Sequence, residues 1–188
     1  NELTNLDVST CENLQTLNCA DNHLRDLDLS NNLLLTETTN AFIGNQTVSS
    51  TAQIKDGKVL VPLTVKSSAN IISTSLDKTE IVDEVETVVL AYVGTNFVAD
   101  SIDEIVDGID YTYNTGLANA ENMNVHINVN RDFYQVKYYT DSGMQTLMKT
   151  EVVTAGEAGT APEITDIPQC KAFGDWSEDI SSVNGDMD

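Results

Sequence analysis

The sequence predicts a mainly β chain made of three parts in succession: a leucine-rich repeat stub, an immunoglobulin-like β-sandwich and a small β module. Three observations carry that prediction. Leucine and its apolar equivalents recur with a 21-residue period over the first thirty-odd positions. Beyond them, runs rich in Val, Ile, Thr and Tyr alternate with polar residues between Asp-Gly turns, which is strand grammar. Only residues 78–86 read as a turn of helix instead.

The opening stretch repeats the phrase L-x-x-L-x-φ-x-x-(C/N), where φ is apolar. Its passes are Leu3, Leu6, Val8, Cys11, then Leu14, Leu17, Cys19, Asn22, then Leu24, Leu27, Leu29, Asn32. The offsets of eleven and ten residues make one unit of two similar halves, within the period of leucine-rich repeats. Alternate residues of a short strand point the same way, so Leu6/Val8, Leu17/Cys19 and Leu27/Leu29 would share one core. Asn22 and Asn32 fall where a buried amide can satisfy backbone groups at the turn leaving the strand. A single amphipathic helix is the alternative, but Asn, Asp, Ser and Thr crowd the gaps and disfavour helix interiors. A stack of this kind needs about three units. The expectation is therefore that residues 1–40 end a longer array, with a sheet module closing its last coil.

The chain has 188 residues and 40% hydrophobic content, enough for packed cores. No run approaches the length of a membrane span. Thirty acidic residues against nine basic ones give a net charge of −21, which disfavours nucleic acid and anionic membranes as partners. Of the three cysteines, Cys11 and Cys19 read as packing residues of the repeat, since buried Cys behaves as a small hydrophobe. Cys170 has no evident partner.

Residues 41–130 read as the sandwich. Gln46–Gln53 and Val59–Val65 flank Asp56-Gly57, a hairpin signal. Pro62 inside the second run points to an edge strand or a bulge. Glu86–Val93 reads as a more buried strand. "IDEIV" and "IDYTYN" flank Asp107-Gly108 as a second hairpin. Met123–Val129 alternates, with Val125, Ile127 and Val129 on one face and His126 on the other. Several short strands with turns between them predict a sandwich.

Between Thr79 and Asn130 there are ten acidic residues and no Lys or Arg. Five lie in "DSIDEIVDGID". Counted from Asp103 as a calcium loop, position 3 is Ile105 and position 12 is Asn114, so the oxygen-ligand pattern fails. An acidic hairpin is the better account, and no metal-ligand residues are assigned. Ca²⁺ held by separate loops stays open as an alternative.

Residues 131–188 begin with a strand, Gln135–Tyr139, a turn at Asp141-Ser142-Gly143, and a second strand over Leu147–Val153. A Gly- and Ala-rich loop leads to Phe173 and the lone Trp176, which reads as a core residue. Asp141, Gly143, Val153, Gly156, Ala158, Ala161, Pro162, Phe173, Gly174, Trp176, Val183, Gly185, Asp186 and Met187 stand in the order and spacing of the B-type repeat of internalin-like bacterial surface proteins. The segment resembles that β-grasp-like module over about 55 residues. It departs from it at Asp175, which separates Gly174 from Trp176, and at Gln169-Cys170. The opening repeats are similar to those of the same kind of protein.

That resemblance implies an extracellular protein, secreted or attached to the cell wall, that is not an enzyme. It would bind a host or neighbouring-cell protein, or a matrix or glycan ligand. Recognition would fall to outward residues of the repeat strands: Asn5, Asp7, Thr16, Asn18, Asp26 and Asp28. The β modules would act as cap and stalk. A calcium-stiffened stalk is the second reading. A hydrolase is the third: His23 and His126 are the only histidines, and no G-x-S-x-G or H-E-x-x-H motif occurs.

Overall fold

The computed structural model describes residues 1–35, 40–82, 85–117, 122–141, 143–164 and 176–187. The protein is mainly β, arranged in several small sheets, and its only helices among the described residues are two short 3₁₀ turns. The chain divides into two compact units, Asn1–Asn130 and Arg131–Asp188.

The first unit opens with little regular structure. Strand β1 (Leu17–Asn18) pairs in parallel with β2 (Ala41–Phe42). Val8, Cys19, Leu24, Leu27, Leu29, Leu35 and Ile43 are buried, while Leu6 and Leu17 are half-buried. Three buried amides hold this region. Asn22 accepts from the Leu3 amide at 3.0 Å and donates to the Cys19 and Ala20 carbonyls at 3.1 Å. Asn32 donates to the Val8 and Cys11 carbonyls at 2.9 and 3.0 Å. Gln46 donates to Cys19 and Ile43 and accepts from Leu24. Each amide ties its own turn to another about twenty residues away, replacing the water that those carbonyls lose on burial. Cys11 departs from expectation. Its thiol is exposed, because only its carbonyl is drawn inward to Asn32. Cys11 and Cys19 are both free thiols.

The chain then supplies β3 (Asn45–Thr51), β4 (Gln53–Lys55), β5 (Lys58–Pro62), β6 (Ile71–Thr74), β7 (Lys78–Val82), β8 (Val85–Val89), β9 (Tyr92–Val93), β10 (Asn96–Ala99), β11 (Ile109–Tyr113) and β12 (Met123–Asn130). Two four-stranded sheets result, ordered β4-β5-β10-β9 and β3-β12-β11-β6, with β3 parallel to β12. Val59, Val61, Phe97 and Ala99 of one sheet and Tyr111, Tyr113, Met123, Val125 and Ile127 of the other are buried. The Phe97 and Tyr111 rings lie 5.1 Å apart, so the two apolar faces meet. This core adjoins the opening segment: the Tyr111 hydroxyl donates to the Arg25 carbonyl at 2.6 Å, and the Leu29 amide to the Thr115 carbonyl at 2.7 Å.

Asp56 and Gly57, with φ of 51° and 75°, form the two-residue turn joining β4 to β5. Positive φ at both central residues matches the twist of the flanking strands. Four local expectations are corrected. Gln46–Gln53 breaks at buried Ala52, sending β3 to one sheet and β4 to the other. Pro62 ends an interior strand, beyond Leu60, the last β5 residue paired with β4, so no bond to β4 is lost there. β7 and β8 form a two-stranded ribbon, paired with no other strand among the described residues, rather than a helical turn and a buried strand. "IDEI" is a 3₁₀ turn, because Ile102 and Ile105, three apart, can both be buried by that period and not by a strand's.

In the second unit, β13 (Phe133–Tyr139) pairs antiparallel with β14 (Leu147–Thr154), and Val136 bridges to Met187 in parallel. Val136, Tyr138, Val153 and Val183 form its core, with Tyr134, Ala161, Trp176, Ile180 and Met187 packed against it. Trp176 meets Tyr138 edge-on at 5.2 Å. Arg131 makes a two-pronged ion pair with Asp186. Ser142, Gln169, Cys170, Phe173, Gly174 and Asp175 lie outside the described residues.

Candidate binding surface

Of the six outward residues singled out in the sequence, three do the same local work. Asp7 accepts from the Ser9 amide and Asp28 from the Ser30 amide, each at 3.0 Å, and Asn18 accepts from the Ala20 amide at 3.3 Å. Each side chain bends the chain two residues on, which is the preferred use of Asp and Asn in turns. The serine hydroxyls and amides hold the Asp7 and Asp28 carboxyls below their usual range, so both stay charged at neutral pH. All three side chains are exposed.

Asp26 is different. It accepts from the Lys66 amide at 2.8 Å, and its side chain is only 13% exposed. It therefore ties the opening segment to the loop after β5. The Lys66 ammonium lies 3.9 Å from Asp26 and acts electrostatically on both Asp7 and Asp28. Asp7 and Asp28 also feel each other's charge. Asn5 and Asp26 line a groove of about 510 Å³ with Thr4, Arg25, Thr64 and Lys66. A neighbouring groove of about 260 Å³ shares Thr4 and Arg25 and adds Ser49 and Asn128. Asn5, Asp7, Asp26 and Asp28 thus belong together, whereas Thr16 and Asn18 stand apart at β1 and line neither groove.

Sequence reasoning missed Arg25, Thr64 and Lys66. Arg25 was adjacent to a chosen residue, and its exposure beside Asp26 was a usable signal. Lys66 comes from forty residues downstream, and no local pattern announces it.

Two carboxylates of the acidic stretch, Asp100 and Glu104, are paired with lysines. Asp100 pairs with Lys58 and Lys78, and these lysines push its carboxyl down to about 2. Glu104 pairs with Lys78 at 3.0 Å and accepts from the Asp100 amide at 2.8 Å. Asp110 meets His126 at 2.8 Å on the outer face of the β3-β12-β11-β6 sheet. His23 donates to the Thr47 carbonyl and lies 24 residues from it in sequence. Among the described residues, no group of three or more His, Cys, Asp or Glu side chains is placed to hold a metal, and no helix is long and apolar enough to cross a membrane.

No protein-family model and no curated protein matches this sequence.

Proposed function

We propose that this chain belongs to an internalin-like bacterial surface protein, and that it binds a macromolecular partner without catalysing a reaction. On this reading, residues 1–40 are leucine-rich repeat turns, 41–130 an immunoglobulin-like cap and 131–188 a B-repeat-like stalk module. The observation that carries the reading is the recurrence of buried amides: Asn22, Asn32 and Gln46 each bond backbone groups of another turn. That is what a side chain at the turn of a stacked repeat must do, since the stacked backbone has lost its water.

The sheets favour the cap reading. Their orders, β4-β5-β10-β9 and β3-β12-β11-β6, correspond to strands A-B-E-D and to C, F and G of an immunoglobulin fold with one further edge strand. Placing an amide from β3 against the last apolar turn is what a cap does for an otherwise bare repeat end. Exposed, locally fixed residues beside two cations then make the groove at Asn5, Arg25 and Lys66 the preferred recognition surface.

The test is adhesion of beads coated with the chain to cultured epithelial cells and to collagen-, fibronectin- and heparan-coated wells. Binding above albumin-coated beads, and at least about tenfold loss on Arg25→Glu with Asn5→Arg, is the expected result. Binding that ignores this double variant would move recognition elsewhere on the chain. Adhesion no greater than albumin's on every surface would remove the reading.

A further inference from the structure

We propose that the β7–β8 ribbon is a docking strand for an extended, basic segment of a partner protein, which adds to one of its open edges. Neither β7 nor β8 pairs with any other strand among the described residues. A lone two-stranded ribbon is marginal in water and gains stability from a third strand or a packed face. This one has no third strand among the described residues, and its Ile81–Val88 face is open. Ile81 is 80% exposed and Val88 67% exposed.

The register places these two residues together. Thr79 opposes Val88 and Ile81 opposes Glu86, so all four share one face, with Ile81 and Val88 as diagonal neighbours. Lys78 lies on the other face, opposite Val89, and is held by Asp100 and Glu104. The Ile81–Val88 face is thereby turned away from the anchor. The base is clamped as well: the Asp77 carboxylate accepts from the Thr74 amide on one side of the ribbon and the Ala91 amide on the other, both at 2.8 Å. A ribbon fixed at its base and apolar at its exposed face is presented, not packed.

Charge selects the occupant. Residues 79–130 contain no Lys or Arg, and the exposed Glu80 and Glu86 stand on opposite faces of the ribbon. A second copy would set glutamate against glutamate, and like charges directly across strands are destabilising. Carboxylates on an open edge thus oppose self-pairing while attracting cations. A strand alternating Lys or Arg with Val, Ile or Leu satisfies both features. Its backbone bonds along the β7 edge, its apolar residues lie over the Ile81–Val88 face, and its cations, all on the other face, meet Glu80. This surface is separate from the repeat groove, and loss of either reading leaves the other standing.

The experiment uses the whole chain and a labelled ten-residue peptide alternating lysine and valine, followed by fluorescence anisotropy. Controls are a peptide of the same composition with its lysines in one block, and one alternating glutamate and valine. The alternating lysine peptide should bind most tightly. Its affinity should fall about tenfold on Ile81→Thr with Val88→Thr, which keep β-branched side chains, and at least as far on Glu80→Lys, the carboxylate on the face that the lysines occupy. Amide exchange should slow within residues 79–88 when the peptide is present. Three results overturn the proposal: no binding of the alternating peptide; equal binding of the block peptide, unaffected by the Thr variants; or concentration-dependent dimerisation abolished by those variants, which would make a second copy the occupant.

Discussion

The Gln46 side-chain amide donates to the Cys19 carbonyl at 2.9 Å, although the two residues are 27 apart in sequence. The same amide donates to Ile43 at 2.7 Å and accepts from Leu24 at 3.2 Å, and Gln46 is fully buried. One side chain thus satisfies three backbone groups where the opening segment meets β3. Truncating it to Ala leaves the Cys19 carbonyl to Asn22 but takes the partner from the buried Ile43 carbonyl and Leu24 amide, and each such group costs about 1–3 kcal/mol. Gln46→Ala should destabilise the first unit by roughly 2 kcal/mol or more. Urea unfolding followed by far-ultraviolet circular dichroism reads this, whereas Trp176, the sole tryptophan, reports the second unit.

Gly108 has φ of +85°, and a Cβ there would stand 2.5 Å from the Ile127 carbonyl oxygen and 2.8–2.9 Å from the His126 ring. Backbone on one side and an imidazole held by Asp110 on the other leave little room to yield. Gly108→Ala combines left-handed strain with this overlap, so a loss of about 2–4 kcal/mol is expected. Asp107→Ala, one residue earlier at an exposed position, should change stability by less than about 0.5 kcal/mol. Comparable losses in the two variants would place the cause outside the glycine geometry.

Those two sites also mark what the sequence disclosed. Asn22 and Asn32 were legible because amides at fixed offsets after apolar alternation form a local pattern, and Asp56-Gly57 because its turn chemistry is local. Gln46 was not, since its role depends on carbonyls of another turn. Val88 and Val89 misled for a related reason: an apolar run does not create the layer it would pack against, and both side chains stay exposed. Ile102 and Ile105 were read with a strand's period where a spacing of three was the better guide. Asp26 looked like its outward neighbours until Lys66 arrived from a distant loop.

Tyr111 offers a test at alkaline pH. Burial, reinforced by Asp26, pushes its hydroxyl far above the usual tyrosine range, while its proton is donated to Arg25. A group whose folded pKa is raised contributes stability below its unfolded value of about 10, and that contribution is lost as pH climbs further. Tyr92, Tyr113 and Tyr138 are shifted the same way. Ultraviolet titration of the native chain should show these four ionising above the usual tyrosine range. Stability should fall as pH rises above 10, and Tyr111→Phe should flatten that fall. An unchanged slope would assign the effect to other groups.

The acidic stretch decides between two accounts of the same carboxylates. If calcium stiffened this region, chelation would lower the melting temperature. In the structure Asp100 and Glu104 are already paired with Lys58 and Lys78, which leaves the cation's work to ammonium groups. Melts with and without a chelator should therefore coincide within error. Acid should act instead: because the lysines lower Asp100 from 3.8 to about 2, its stabilising contribution is present above 3.8 and disappears as pH falls towards 2. Carbon-13 chemical shifts of the Asp100 carboxyl give the midpoint directly. Lys58→Met with Lys78→Met should return it towards 3.8 or above, since both charges that hold the carboxylate would be gone. A midpoint already near 3.8 in the unmodified chain would show that solvent screens these surface pairs, and a melting temperature raised by calcium would reinstate the metal.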